Sequence, residues 1–332
     1  MSWFNDYNYF GVSRQFGMLL MVFIPAILLL NACTPEPAPL TINEINNFPY
    51  KLSRPDKGFE LPAELEEISG LAFDDINNRL IAVQDELGIL FFINPDSGSV
   101  IEKVKFGKPG DYEGIAWVND TVFVVRSDGR IYSVANYDKP SISTTTFKTP
   151  LSAKNDVEGL AYDATKRKLL LLNKRDPSLK KKNQFKGKRA VYEFDLGSKT
   201  LTDEPALLID IEQLKAAIEK EYFTKLATRI GRFLRLYDEV SDFMPSAIAI
   251  HPITKDHYIL AHIGKLLVVY DSSYQLKYIK KLDPTLFRQP EGMAFSENAD
   301  LFIANEARGG RAKLLRFNFV SAMHLAEDEN NK

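Results

Sequence analysis

One five-residue phrase returns along the chain and constrains its fold more than any other feature. It reads Ser69-Gly-Leu-Ala-Phe73, Glu113-Gly-Ile-Ala-Trp117, Glu158-Gly-Leu-Ala-Tyr162, Ser246-Ala-Ile-Ala-Ile250 and Glu291-Gly-Met-Ala-Phe295. Successive copies start 44, 45, 88 and 45 residues apart, so the period is 44–45 with one double-length gap. A period of 40–50 residues built from short strands predicts a β-propeller with one four-stranded blade per repeat. The small second and fourth residues have a steric reason, because inner strands crowd the axis and backbones must approach closely there.

The rest of each repeat agrees. A turn such as Asp74–Asn78 or His251–Asp256 follows the phrase. Two further runs rich in Val, Ile, Leu, Phe and Tyr come next, for example Leu80–Val83 then Ile89–Ile93. The double gap holds one long repeat, 155–210, with a loop at 174–189, and then a segment with apolar residues three or four apart: Ile211, Leu214, Ile218, Tyr222, Leu226. That spacing predicts a helical insertion over 211–240, divided near Gly231. The expected fold is therefore all-β, a five-bladed β-propeller, with six blades as the lesser alternative. The last repeat stops near Phe319 without a fourth strand, and the segment around Tyr50–Ser53 is the expected donor that closes the ring.

The N-terminus reads as targeting rather than as fold. An uncharged run from Phe16 to Leu30 precedes Asn31-Ala32-Cys33, in the layout of a secretory signal. The 15 apolar residues fall short of the ~20 that span a bilayer. Leu30-Asn31-Ala32-Cys33 resembles a bacterial lipobox, which implies acylation of Cys33 and cleavage just before it. Cys33 is the only cysteine, so neither an internal disulfide nor a thiolate metal cluster is available. The expected organisation is a signal peptide at 1–32, a Pro-rich tether at 33–47, a propeller at 48–320 and a polar tail at 321–332. The expected location is the cell envelope, with a lipid on the membrane and the domain facing the periplasm or the cell surface. A net charge of −2 excludes the broad basic excess of a nucleic-acid binder.

Chemistry is expected where the phrases begin. Glu113, Glu158 and Glu291 occupy equivalent places on a ring around the axis, with Ser69 and Ser246 completing it. Three carboxylates on one narrow channel repel unless something neutralises them. Proton uptake is one solution. A hard cation such as Ca²⁺, taking six to eight oxygens, is another. A third arrangement has each glutamate accepting hydrogen bonds from backbone N–H groups of the next blade. A second set of polar residues recurs where the second strand ends: Asp85, Asp128, His262 and Glu306, with Asn173-Lys174-Arg175 at that place in the third repeat. Such a face suits a small polar ligand, or hydrolysis by a metal-activated water.

The phrases EISGLAF, DYEGIAW, DVEGLAY and QPEGMAF, with the strand ends VQDELG and ANEARGG, resemble the SdiA-regulated family of bacterial envelope proteins over residues 50–320. The resemblance implies a five-bladed propeller distantly akin to NHL-repeat proteins, with a calcium ion bound in members of known structure and no established activity. The matching acids are Glu113, Glu158, Glu291 and Glu306, and the resemblance places the metal on the first three. The helical insertion and the lipobox-like start depart from the family's shorter members. Two functions compete: a binding module for a small polar ligand or an envelope protein, and a metal-dependent hydrolase of a lactone, ester or phosphoester. No Gly-x-Ser-x-Gly signature with ordered His and Asp favours the second.

Overall fold

Each phrase forms the innermost strand of a separate antiparallel sheet. A computed structural model describes residues 48–139, 141–181, 183–225 and 243–320. The expectations for residues 1–47, for 226–240 of the helical insertion and for the tail 321–332 lie outside these. The first blade is Ile68–Asp74, Arg79–Gln84, Ile89–Ile93 and Val100–Lys105; the second is Tyr112–Val118, Thr121–Arg126, Ile131–Ala135 and Ser143–Phe147. The third is Val157–Asp163, Lys168–Asn173 and Lys188–Asp195, whose outer edge pairs with both Thr200–Leu201 and Leu207–Asp210. The fourth is Met244–Ile250, His257–Ile263, Leu266–Tyr270 and Leu276–Lys281. The fifth is Pro290–Phe295, Leu301–Asn305 and Lys313–Phe317, completed by Lys57–Glu60 from the other end of the domain. The five inner strands neighbour one another in a closed ring, so the fold is a five-bladed β-propeller and the double gap contains no sixth blade.

The closing strand differs from expectation. Lys57–Glu60 pairs with Lys313–Arg316, whereas the expected donor around Tyr50–Ser53 does not enter the sheet. Tyr50 has a better use as a buried anchor. Its ring packs among Phe48, Tyr258, Phe295 and Phe319, and its hydroxyl donates to the Ala299 carbonyl at 2.6 Å. An aromatic residue at the strand edge would leave that area in water, so burial between the fourth and fifth blades wins.

The hydrophobic core is divided into five clusters, each made by the facing sides of two neighbouring blades. The helix Ile211–Lys225 joins the cluster between the third and fourth blades, burying Ile211, Leu214, Ala217 and Ile218. Asp210 starts it by accepting hydrogen bonds from the N–H groups of Glu212 and Gln213, the usual role of an N-cap side chain. The described part of the insertion thus packs on the propeller's side. The Lys-rich loop is also tied down at its start: Asn155 donates to the Asp176 carbonyl at 2.8 Å and Tyr192 to the Pro177 carbonyl at 2.6 Å.

Candidate functional site at the acidic mouth

The first residue of every phrase sits on a β-bulge. Pairing between the first and second strands skips Ser69, Glu113, Glu158, Ser246 and Glu291, one in each blade. A bulge leaves one residue out of the ladder and re-aims its side chain. Four of the five bulged residues, Ser69, Glu113, Glu158 and Glu291, line a cavity of about 10 Å³ at one end of the axis, where Ala247 stands for the fourth blade. That is on the order of the space one water molecule needs. The following glycine makes the approach possible. A Cβ on Gly114 would lie 2.4 Å from the Leu160 nitrogen, and one on Gly70 would lie 2.9 Å from the Glu113 carbonyl oxygen.

The two serines serve the ring itself. Ser69 donates to the Tyr112 carbonyl at 2.6 Å and Ser246 to the Pro290 carbonyl at 2.7 Å. Each hydroxyl therefore ties its blade to the residue just before a bulged glutamate on the next. The three glutamates have a different environment. Glu158 and Glu291 are buried and Glu113 is partly buried. Burial, then repulsion from Glu158 and Asp111, pushes the Glu113 carboxyl up to about 10. Burial raises Glu158 as well, to about 7, against the opposing pull of Lys174.

Lys174, named in the sequence only as part of the strand-end set, has a specific partner here. Its ammonium is ion-paired with Glu158 and lies 3.7 Å from Asp156 Oδ2, the same oxygen that Arg175 holds at 2.9 Å. The signal was available: the third repeat carries a base at the place where the others carry Asp85, Asp128, His262 and Glu306. Without knowing that the bulge turns Glu158 toward this strand end, the lysine had no partner to suggest its role.

The structure sorts that second set. His262 Nδ1 lies 3.4 Å from Glu291, which brings it to the mouth. Glu306 accepts from Gln289, and Arg308 in turn donates to Gln289. Burial, then repulsion from Glu291, Asp85 and Glu67, raises the Glu306 carboxyl to about 7. Asp85 rises to about 6 through burial and Glu67. Asp128 instead pairs with Arg126 at 2.6 Å and accepts from the Arg130 N–H, a turn-capping role. Two buried amides, Asn173 and Asn305, stand in register with the residues just before Glu158 and Glu291, and neither has a hydrogen-bond partner on its side-chain oxygen or nitrogen.

For a hard cation the donor chemistry fits: carboxylates, amide oxygens and a space of single-ion size. Among the described residues, however, no three His, Cys, Asp or Glu side chains converge closely enough to hold a metal in this arrangement. Lys174 supplies the positive charge that the ring needs here.

The sequence profile of the family described as SdiA-regulated matches residues 51–228, more than half of the chain. The chain belongs to the SdiA-regulated family. No curated protein matches the sequence of this SdiA-regulated chain. Among solved structures, glutaminyl cyclase from Myxococcus xanthus superposes with a TM-score of 0.51 at 10% identity, over 81% of this chain and 97% of that one. The PQQ-bound aldose sugar dehydrogenase from Streptomyces coelicolor gives 0.45 at 13% identity, over 80% and 99%. Virginiamycin B lyase from Staphylococcus aureus gives 0.41 at 13%, over 80% and 70%. At these identities the likeness is one of fold, and the SdiA-regulated propeller takes no activity from it.

Proposed function

We propose that this propeller is a non-enzymatic binding module, held at the cell envelope by a lipid on Cys33, whose acidic mouth takes one calcium ion and presents that face to a small polar ligand or an envelope protein. The observation that supports the reading is the placement of three bulged glutamates around a space of single-ion size, with two of them pushed toward protonation by burial and by neighbouring carboxylates. A carboxyl held in that state gains from any cation that replaces its proton. Glu113, Glu158 and Glu291 would supply the negative ligands, with Asn173 and Asn305 as neutral oxygen donors nearby. Calcium would neutralise the ring and fix the mouth. Lys174 competes with it for Glu158, so binding requires the ammonium to withdraw.

The test is calorimetric titration of residues 40–332 with Ca²⁺, beside melting in millimolar Ca²⁺ and in chelator. The expected result is a saturable heat and a raised melting temperature, lost in Glu291→Gln and strengthened about tenfold or more in Lys174→Met. If neither the parent nor Lys174→Met responds to millimolar Ca²⁺, the reading is wrong.

A further inference from the structure

The channel has a second mouth, and its chemistry is the reverse of the first. The third residues of the five phrases, Leu71, Ile115, Leu160, Ile248 and Met293, line both the acidic cavity and a larger one of about 240 Å³ beyond them. They form an aliphatic waist between two chambers. Beyond it the fifth residues make a collar: Phe73, Trp117, Tyr162, Ile250 and Phe295, one from each blade. At the lip, the turns after the first and fourth inner strands hold up Ile76 and Ile253, 73% and 58% exposed, the two most exposed large apolar side chains among the described residues.

We propose that this aromatic cup is a binding site for a small, flat aromatic molecule of one or two fused rings. Volume sets the size. An engineered apolar cavity of about 150 Å³ takes up benzene, so a space of about 240 Å³ has room for a second ring. Depth sets the shape. Floor and rim are two strand residues apart, about 7 Å, so an extended alkyl chain filling the same volume would stand well above the lip. The walls set the chemistry. Ring-on-ring contacts add roughly 0.5–1.5 kcal/mol each beyond area burial; Trp117 and Tyr162, both partly exposed, are the collar rings open to a ligand, while the buried Phe73 and Phe295 back the wall.

Four of the polar side chains that line the cup are engaged in their own turns, which argues against a sugar; Asp75 and Thr165 also line it. Asp163 accepts from the N–H groups of Thr165 and Lys166, and His251 Nδ1 from those of Ile253 and Thr254. Ser296 accepts from the Asp300 N–H, and Lys255 donates to the Pro252 carbonyl. These groups cap their own turns. A polyhydroxylated ring would enter a cup whose floor is aliphatic and leave most of its hydroxyls without partners, at a cost for each.

Trp117 gives a direct reporter. The chain has two tryptophans, Trp3 and Trp117, so residues 40–332 contain only the one in the collar. In nitrogen-15-labelled protein its indole N–H gives a single tryptophan side-chain resonance. Indole, n-octanol and glucose would each be titrated against it, with calorimetry in parallel. The expected result is a saturable shift with indole, at least tenfold weaker responses to octanol and glucose, and indole affinity reduced about tenfold in Tyr162→Ala. Ile101→Ser, at an exposed position on the outermost strand of the first blade, leaves indole binding unchanged. A resonance that stays still at millimolar indole overturns the proposal. So does a preference for octanol or glucose, or a shift indifferent to Tyr162→Ala.

Discussion

Replacing Glu113 with glutamine should make the protein more stable at neutral pH, even though it removes a residue of the candidate site. In the unfolded chain this carboxyl ionises above its ordinary value of 4.5. In the folded chain burial and the neighbouring acids keep it protonated past neutrality. Folding therefore takes up a proton, and stability falls as pH rises from the unfolded value toward the folded one. The loss is about 1.4 kcal/mol per pH unit, so at pH 7 the cost of Glu113 is about 3 kcal/mol. That figure depends only on the folded value lying above the assay pH. Glutamine resembles the protonated acid in shape and keeps a donor, yet needs no proton. Urea unfolding of residues 40–332 in chelator at pH 4.5, 6 and 7.5 measures the difference. Glu113→Gln should match the parent at pH 4.5 and exceed it increasingly at pH 6 and 7.5. A variant equal to or weaker than the parent at pH 7.5, or a gain that does not change with pH, would refute the account of the mouth as a store of unfavourable charge.

Other consequences can be measured on the same protein. Ser69→Ala and Ser246→Ala each leave a buried carbonyl oxygen without its donor, so each should cost about 1–2 kcal/mol in urea unfolding. A neutral result would remove the serines from the joints between blades. Gly114→Ala pushes a methyl to 2.4 Å from the neighbouring backbone and should cost about 3 kcal/mol, whereas at Gly58 the same methyl meets only an ordinary 3.5 Å contact and the change should stay within about 1 kcal/mol. Equal melting temperatures for the two variants would contradict the close packing of inner strands. Cys33→Ser in the full chain should abolish labelling by a fatty-acid analogue and release the protein from membranes; a variant that stays labelled would end the lipoprotein reading.

The fold was legible because a propeller repeats its steric problem. Every inner strand needs small residues at the same two places, and the phrase records them. The helix was legible through its apolar spacing up to Lys225. The closing strand was not, since Lys57–Glu60 is short, charged and partly exposed, and its pairing is decided by Leu314 and Leu315 more than 250 residues later. Within the site, the phrase revealed the three glutamates but not the bulge that aims them. That bulge is a matter of pairing register, which one strand cannot display alone. The partner of Lys174 escaped for the same reason. The two mouths were both written in the phrase, its first residue acidic in three copies and its fifth aromatic in four. Only the strand direction common to all five blades puts those characters at opposite ends of one axis.

The strand that seals the ring also sets a timetable. Made and exported N-terminus first, Lys57–Glu60 emerges long before Lys313–Phe317, its only sheet partner among the described residues. Where export keeps pace with synthesis, at about 5–20 residues per second, the delay is roughly 13–50 s. Throughout that interval the segment must remain unattached while four blades and most of a fifth assemble. Its Lys57 and Glu60 suit such a wait, because charged ends discourage adventitious strand pairing. The last step of folding is then a docking event between the oldest and youngest parts of the domain. Any chaperone or protease that acts on this protein before completion meets an open circle with two unsealed edges.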